Sequence, residues 1–298
     1  MKPLKGTEIY GNWATLLLPI NEDDSIDFDR LAREIDLLIS MQVNGIYSNG
    51  TAGEFYNQTE QEFDQVNHLL AEKCNAANMA FQIGCSHMSP IISLQRVRRA
   101  VGMTPSAIQI TLPNWAPLSF PEITDFLEKM IQAAAPIGLV LYNPPHAGQV
   151  LSPADYLALK KAGLLDQLVG CKVAGGDEHW YQEMTSLTDD KSFSIFIPGH
   201  FLATGLSRGA SGAYSNVACI HPGVAQRWYE QTKKDPFGAL ELESRIQQFM
   251  QTAIVPFLGA SGYSNTAADK LLAAVGGWSA IGTRIRWPYR SFPKTEVE

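Results

Sequence analysis

Cysteine is scarce in this chain, and its spacing shows no pattern. Four cysteines occur among 298 residues, and no C-x-x-C motif is present; they are Cys74, Cys85, Cys171 and Cys219. A disulfide framework or a cysteine-rich zinc site needs closely patterned cysteines, so we expect neither. Cys171 lies in an apolar run, where a free thiol behaves as a small hydrophobic side chain. The sequence therefore predicts a reduced, cytoplasmic compartment.

Long apolar runs and basic runs are also missing. The run Leu16–Leu18 is far shorter than the roughly 20 residues that span a bilayer. Residues 1–10 lack the apolar segment of a signal peptide, so we expect none. The formal net charge is −7, and lysine and arginine form no cluster. Because a nucleic-acid partner requires a cationic face, we expect neither a nucleic-acid nor a membrane partner.

Patterned metal ligands are absent from the sequence as well. No H-x-H or H-E-x-x-H motif occurs among His68, His87, His146, His179, His200 and His221. We therefore expect no metal site. A metal-dependent aldolase or hydrolase remains an alternative, with His200 at a predicted strand end as its best ligand candidate. A serine hydrolase is disfavoured because the chain has no G-x-S-x-G motif.

What the chain does contain is a regular alternation of short apolar runs and amphipathic helical stretches. The apolar runs are residues 13–19, 45–49, 81–84, 107–111, 138–142, 169–174, 194–197 and 210–215. Strand–helix alternation predicts a parallel sheet with right-handed crossovers. Eight units in about 230 residues predict an α/β fold, a (β/α)8 TIM barrel over residues 10–235. A doubly wound open sheet is the alternative, and residues 236–298 are predicted to form additional C-terminal helices packed on the barrel.

One lysine stands inside an apolar strand. Lys172 lies in the run Leu168–Ala174, and burial there would disfavour its ammonium form and lower its pKa. A neutral amine is a nucleophile that condenses with a carbonyl to form a Schiff base. Gly170 and Ala174 share its face of the strand, which we expect to leave room for a substrate. An edge lysine that reaches solvent, or a buried ion pair, is the alternative.

A tight turn follows the second predicted strand. Gly50, Thr51, Ala52 and Gly53 expose backbone N–H groups and one hydroxyl, and such a turn can bind a carboxylate. An ordinary turn between a strand and a helix is the alternative.

Polar residues also follow three later strands, at the barrel end where chemistry gathers. Tyr142 ends the fifth strand and precedes two prolines that fix the loop. A phenol near an amine can shuttle protons, although a core tyrosine is the simpler interpretation. Gly199 and His200 end the seventh strand and Ser215 ends the eighth, which makes these three residues candidates for substrate binding. Capping of a helix is the alternative for Ser215.

The order of these pieces resembles the dihydrodipicolinate synthase / N-acetylneuraminate lyase family of class I, Schiff-base aldolases. The similarity extends over residues 11–276. The matching segments are Gly50-Thr51-Ala52-Gly53-Glu54 with Glu60, Tyr142-Asn143-x-Pro145, Gly170-x-Lys172, Gly199, and Gly209-x-x-Gly212 with Asn216 and Pro222. The resemblance implies a TIM barrel, a homotetramer built as a dimer of dimers, and chemistry without a metal or an added cofactor.

The resemblance also implies roles for individual residues. Lys172 would form an imine with the ketone of a 2-oxo acid, usually pyruvate. Tyr142 would relay protons, and the Thr51 hydroxyl with the Ala52 N–H would hold the carboxylate. The resulting enamine attacks an aldehyde or imine, or the reverse step cleaves a carbon–carbon bond. Dehydration of a 3-deoxy-2-oxo sugar acid can use the same intermediate.

Three departures from the family pattern bear on the substrate. Dihydrodipicolinate synthases carry an arginine where this chain has Ala147, a tyrosine context where it has Trp115, and a second threonine where it has Ala52. We therefore predict a lyase, an aldolase or dehydratase, that acts on pyruvate or a related 2-oxo or 2-keto-3-deoxy acid. Trp115 is predicted to shape the second-substrate site, with a subunit contact as the alternative. Dihydrodipicolinate synthase proper and a barrel that only binds a small molecule remain the other hypotheses.

Overall fold

Eight parallel strands close into a barrel in sequence order, and the last strand pairs back onto the first. A computed structural model describes residues 1–187, 192–258 and 262–297. The strands are β1 Gly11–Thr15, β2 Gly45–Tyr47, β3 Phe81–Gly84, β4 Ala107–Ile110, β5 Leu139–Tyr142, β6 Leu168–Lys172, β7 Ser194–Pro198 and β8 Gly212–Ser215. The predicted (β/α)8 TIM barrel is therefore confirmed. The doubly wound alternative is excluded because an open sheet leaves two strand edges unpaired.

Helices follow the strands and continue beyond the barrel. They are α1 Phe28–Ser40, α2 Glu60–Ala76, α3 Pro90–Val101, α4 Phe120–Ala134, α5 Pro153–Lys161, α6 Glu178–Thr185, α7 Leu202–Ser207, α8 Val217–Ile220, α9 Pro222–Lys234, α10 Pro236–Phe249 and α11 Asn265–Gly276. A π-helical turn, Met250–Ile254, continues α10. The predicted division at residue 235 falls between α9 and α10.

The strand predicted over residues 13–19 is the one whose bounds differ most. The observed β1 ends at Thr15, and Leu16 donates one further hydrogen bond to the Tyr47 carbonyl at 2.8 Å. Ile26 precedes the first helix, α1. It forms an isolated antiparallel bridge with Ile20.

Two helices, α2 and α4, begin at capping boxes. Thr59 Oγ1 accepts a hydrogen bond from the Glu62 N–H at 3.2 Å, and Glu62 Oε2 accepts one from the Thr59 N–H at 2.9 Å. Ser119 and Glu122 form the same arrangement at the start of α4. Each box satisfies backbone donors that a helix N-terminus otherwise leaves free, so helix starts are encoded locally.

Alternation along the strands separates an inner core from an outer one. Inside the barrel, Trp13, Tyr47, Val140, Phe196 and Tyr214 pack together. Between the strands and the helices, buried aliphatic residues dominate, among them Ile46, Ile83, Ile108, Leu141 and Ala213. The aromatic inner layer fills the barrel beneath the carboxyl ends of the strands. It therefore closes the bottom of any cavity at that end of the barrel.

The C-terminal helices share the outer core and are tied to the barrel by buried charges. Lys270 on α11 contacts Glu54, which follows β2, with 2.5 Å between Nζ and Oε1, and neither side chain is exposed. Arg286, further along the chain, pairs with Glu62 on α2 at 2.5 Å. The first contact fixes α11 beside the loop after β2, and the second ties the segment after α11 to α2. No helix in the described ranges combines the length and apolar character needed to cross a membrane.

Candidate active site

A cavity of about 620 Å³ opens at the carboxyl ends of the strands. Side chains from the loop after β2, the ends of β5 and β6, the loop after β7 and helix α11 line it, as do residues of the π-helical turn. The polar ones that matter below are Thr51, Tyr142, His146, Lys172, His200 and Asp269. The chain thus gathers residues more than 200 positions apart in sequence around one space.

Lys172 ends β6 and points into this cavity. Its Nζ lies 4.5 Å from the ring centroid of Tyr142, 5.2 Å from that of Tyr47 and 5.4 Å from that of Tyr214. Burial lowers the lysine pKa to about 8, although the nearby Asp269 carboxyl opposes the shift. Roughly a tenth of the amine is therefore neutral at pH 7, far more than for a solvated lysine.

The sequence suggested that the small neighbours of Lys172 on its strand leave room for a substrate. The structure shows that the space has another origin. A Cβ added at Gly170 would lie 2.5 Å from the Ser194 carbonyl oxygen, so this glycine is needed for close packing of β6 against β7. Ala174 lies beyond the end of β6. The room for a substrate comes from the cavity above the strand ends.

Tyr142 and Thr51 form a hydrogen-bonded pair beside the lysine. The Tyr142 hydroxyl lies 3.0 Å from Thr51 Oγ1, and Thr51 Oγ1 lies 3.1 Å from Nε2 of His146. Burial raises the pKa of the Tyr142 phenol to about 12, which keeps it protonated at neutral pH. The group next to the amine is therefore a proton donor with a hydrogen-bonded path leading away from it.

The turn after β2 presents unpaired backbone donors to the cavity. Within the described chain, the N–H groups of Thr51 and Ala52 have no hydrogen-bond acceptor, and both residues line the cavity. The Thr51 carbonyl accepts a hydrogen bond from Thr266 Oγ1 at 3.0 Å, which holds the turn from behind. Gly50 lies beneath the turn, where an added Cβ would meet the Tyr47 ring at 2.8 Å. The arrangement suits an anion, with Gly50 supporting rather than lining the site.

Of the residues predicted at the ends of β7 and β8, His200 lines the cavity. The amide oxygen of Asn216, another lining residue, lies 3.2 Å from both the N–H and Nδ1 of His200. Gly199 and Ser215 pack against each other behind this wall, where an added Cβ on Gly199 would meet Ser215 Oγ at 2.3 Å. Ser215 Oγ accepts a hydrogen bond from the Ala218 N–H at 3.0 Å, so its hydroxyl caps α8.

Trp115 lies apart from the other predicted site residues. Its side chain is 85% exposed, and it lines a separate shallow groove with Met88 and Pro113. Because the cavity that holds Lys172 has no contribution from Trp115, the indole does not shape that space within one chain.

Two cavity residues were missed by sequence reasoning. Asp269 comes from α11, and burial raises its pKa to about 7 while Lys172 and the Cys219 thiol oppose the shift. His146 comes from the loop after β5. An acidic residue beside Lys270 in an otherwise apolar helix, and a histidine directly after two prolines, were the available signals. Among described residues, no group of three or more His, Cys, Asp or Glu side chains is arranged to hold a metal.

The arrangement provides a nucleophile, a proton donor and an anion-binding turn within one partly closed space. An amine of lowered pKa can attack a carbonyl, and the adjacent phenol can protonate the oxygen that leaves. Two free N–H groups of the turn after β2 can hold a carboxylate of the same molecule. This combination suits imine chemistry on a small oxo acid.

Known proteins with the same architecture match the chain over most of its length. Residues 9–262 match the dihydrodipicolinate synthetase family. The N-acetylneuraminate lyase of Escherichia coli (strain SMS-3-5 / SECEC) is 26% identical over 217 residues, which are 71% of this chain and 70% of that protein.

Two solved structures are similar in fold. YagE, a prophage protein of the dihydrodipicolinic acid synthase family from E. coli K12, in complex with pyruvate, superposes with a TM-score of 0.84 at 18% identity, covering 97% of this chain and 95% of YagE. A catalytic lysine mutant of the Ruminococcus gnavus sialic acid aldolase gives 0.82 at 18% identity, covering 99% and 94%. This chain belongs to the dihydrodipicolinate synthetase family and is a lyase of the aldolase type.

Proposed function

We propose that the protein is a Schiff-base lyase that acts on pyruvate or a related 2-oxo acid through an enamine. The observation that carries the proposal is the Lys172 amine, whose nitrogen lies 4.5 Å from the ring centroid of Tyr142 inside a cavity open to small molecules. A buried amine with a pKa of about 8 has no ion-pair partner within 4.0 Å among the described residues. Such an amine is suited to covalent catalysis.

The steps follow from the positions of these groups. The neutral Lys172 amine adds to the C2 carbonyl of the oxo acid to give a carbinolamine. Tyr142 protonates the hydroxyl, water leaves, and an iminium ion forms between C2 and Nζ. Loss of a proton from C3 gives the enamine, which adds to an aldehyde. In the reverse direction, cleavage of the C3–C4 bond of a longer 4-hydroxy-2-oxo acid produces the same enamine.

The substrate carboxylate would bind at the turn after β2. The N–H groups of Thr51 and Ala52 have no other acceptor among the described residues, and both residues line the cavity. A carboxylate held there by two N–H groups would position C2 of the oxo acid next to Nζ of Lys172. The structural relative YagE supports this proposal, since its structure is a complex with pyruvate.

The chemical groups of the cavity wall favour a substrate whose second part, beyond the oxo acid, is neutral and hydroxylated. Lys172 and Asp269 are the only Lys, Arg, Asp or Glu side chains among its described lining residues. The remainder of the polar wall consists of hydroxyl, amide and imidazole groups, including His200, Asn216 and Gln247. A second substrate carboxylate would find no arginine there, which disfavours dihydrodipicolinate synthase proper. We propose hydroxylated 2-oxo acids and 2-keto-3-deoxy sugar acids, tested as a panel of substrates in which turnover and binding are measured separately.

Trapping the imine tests the mechanism directly. The protein is incubated with pyruvate and sodium borohydride, digested, and examined by mass spectrometry. A mass gain that corresponds to reduced pyruvate on the peptide containing Lys172 is the expected result. A protein that binds pyruvate without this adduct would instead be the small-molecule binding protein that we kept as an alternative.

We further propose that the protein is a cytoplasmic homotetramer, a dimer of dimers. Trp115 and Met88 are exposed apolar side chains that line one groove, and exposed apolar patches commonly mark contacts between proteins. The four cysteines are buried with free thiols, which is compatible with a reducing compartment. Analytical ultracentrifugation tests the assembly, and Trp115→Ser is expected to shift it toward smaller species.

A further inference from the structure

The hydroxyl of Thr51 lies between a buried phenol and a histidine at the mouth of the cavity. Its Oγ1 is 3.0 Å from the Tyr142 hydroxyl and 3.1 Å from Nε2 of His146. Tyr142 is 4% exposed, whereas His146 is exposed to solvent. The three groups therefore form a continuous hydrogen-bonded line from the Tyr142 phenol, which lies beside the amine of Lys172, to a side chain exposed to bulk water.

The number of protons on these groups determines which of them donate and which accept along the line. The Thr51 hydroxyl has one proton, so it donates to one neighbour while it accepts from the other. When Tyr142 donates to Thr51, Thr51 can donate to an unprotonated Nε2 of His146. When the imidazole carries its proton on Nε2, the line runs the other way. Switching between the two states moves one proton along the line.

The loop that carries His146 is held at both ends. The Asn143 N–H donates to the Lys172 carbonyl at 2.9 Å, and Asn143 Oδ1 accepts from the Leu151 N–H at 2.7 Å. A turn within the loop is closed by the bond from the Ala147 N–H to the Pro144 carbonyl at 2.9 Å. The imidazole is thus positioned by β6, which also bears the lysine.

We propose that His146 is the outer group of a proton relay, Tyr142–Thr51–His146, that exchanges protons between Lys172-bound intermediates and solvent within a single chain. The proposal rests on the Schiff-base function above and adds to it the route by which protons enter and leave. His146 acts through Thr51, so its role differs from that of the groups that touch the reacting atoms.

The proton count of the relay balances. As the carbinolamine loses water, Tyr142 gives its proton to the departing hydroxyl. Thr51 passes its proton to Tyr142 and takes one from Nε2 of His146, whose Nδ1 takes a proton from solvent. The ring stays neutral and changes tautomer. Partial burial of the imidazole lowers the pKa of His146, as does the charge of Lys172, so the neutral ring is the dominant form at pH 7.

The titratable groups that face the imidazole are few. Tyr142 lies edge-on, with 6.3 Å between the two ring centroids, and Lys172 acts on it through the cavity. His200 and Asp269 lie on other walls of the same cavity. A pH profile assigned to His146 must therefore be separated from these groups by substitution.

The variant His146→Gln tests whether His146 transfers protons or only positions Thr51. Glutamine places an amide near the position of Nε2 and can keep the hydrogen bond to Thr51, but it cannot exchange a proton with water. The assay is deuterium exchange into the methyl group of pyruvate in D₂O, followed by NMR, because exchange reports enamine formation without a second substrate. The control is His68→Gln, an exposed histidine on the outer surface of α2.

We expect the exchange rate of His146→Gln to fall at least about tenfold, with the Michaelis constant for pyruvate unchanged. The rate of His146→Ala is expected to rise when imidazole is added, while that of the wild type does not. A fall of less than tenfold, or no recovery with imidazole, overturns the proposal. Borohydride trapping on Lys172 should persist in both variants. If the wild type itself traps no pyruvate, the Schiff-base function fails, and the two failures are thus distinguishable.

Discussion

The amine of Lys172 lies over the aromatic face of Tyr142, with 4.5 Å between Nζ and the ring centroid. Two opposite effects act on the nitrogen at this position. The ring face and the Asp269 carboxyl favour the ammonium form, whereas burial favours the neutral amine. Burial prevails, and the pKa settles at about 8. The lysine is therefore close to the protonation state that a nucleophile requires at physiological pH.

Replacing the lysine by another cation should abolish the chemistry without removing the charge. Lys172→Arg introduces a guanidinium group that stays protonated and forms no imine. We expect both borohydride trapping of pyruvate and deuterium exchange to fall to background. The control is Lys161→Arg, at an exposed position at the end of α5, which should leave both unchanged. Retained exchange in Lys172→Arg would show that another group carries the reaction.

The pH dependence of imine formation should follow the lysine pKa. Below about pH 8 the rate of adduct formation should rise up to about tenfold per pH unit and then level off, because only the neutral amine attacks. Stopped-flow or quenched trapping at saturating pyruvate between pH 6 and pH 10 measures the midpoint. A profile that is flat across this range would contradict the pKa of about 8 for Lys172.

Removing the carboxylate opposite the lysine should move that midpoint to lower pH. Asp269 has a pKa of about 7, so it is charged at the pH where Lys172 titrates. Its negative charge stabilises the ammonium form, and Asp269→Asn therefore lowers the lysine pKa further. The control is Glu128→Gln, which changes the net charge equally at an exposed position on α4. A midpoint that stays in place or moves to higher pH would contradict the electrostatic interaction between Asp269 and Lys172.

Removing the phenolic hydroxyl should slow the proton steps but leave the amine in place. In Tyr142→Phe, Thr51 loses its inner partner at 3.0 Å, and the carbinolamine loses its acid. We expect pyruvate exchange to fall by about 10² to 10⁴, the usual contribution of a positioned acid or base. Slow trapping on Lys172 should still be detectable after long incubation. Tyr10→Phe, at an exposed tyrosine, serves as the control, and equal rates in the two variants would remove Tyr142 from the mechanism.

Much of this site was predictable because barrel geometry translates sequence order into position. The carboxyl ends of parallel strands meet at one end of the barrel, so a residue at a strand end is a candidate whatever its sequence distance from the others. Thr51, Tyr142 and Lys172 were placed in this way. The local starts of α2 and α4 were predictable for a different reason, because capping boxes act over four residues.

The parts that sequence reasoning missed depend on loops and long-range contacts. His146 reaches Thr51 because of the path of the loop after β5, which no periodic pattern encodes. Asp269 enters the cavity because its neighbour Lys270 anchors α11 to Glu54, a pairing across more than 200 residues. Trp115 lies in the loop after β4 and lines a groove separate from the cavity. Such positions are set by tertiary packing rather than by local preference.

The buried pair of Glu54 and Lys270 should stabilise both the fold and the site. The two charges are 2.5 Å apart and fully buried, and Lys270 also donates to the Arg284 carbonyl at 2.6 Å. Lys270→Met leaves the Glu54 carboxylate buried without its cation, so we expect the free energy of unfolding to fall by about 3–5 kcal/mol. Urea denaturation followed by circular dichroism measures the change.

Two further variants distinguish the stability lost with the buried ion pair from the general effect of removing a lysine. Lys73→Met breaks the more exposed contact with Asp36, at 2.8 Å, and should cost about 0–1 kcal/mol. Adding Glu54→Gln to Lys270→Met removes the unpaired charge and should restore part of the lost stability, because the cost comes mainly from a buried carboxylate without a partner. Since Glu54 ends the turn that holds Thr51, the single variant should also slow pyruvate exchange under conditions where it remains folded. Full stability in Lys270→Met would mean that α11 is anchored by its apolar contacts alone.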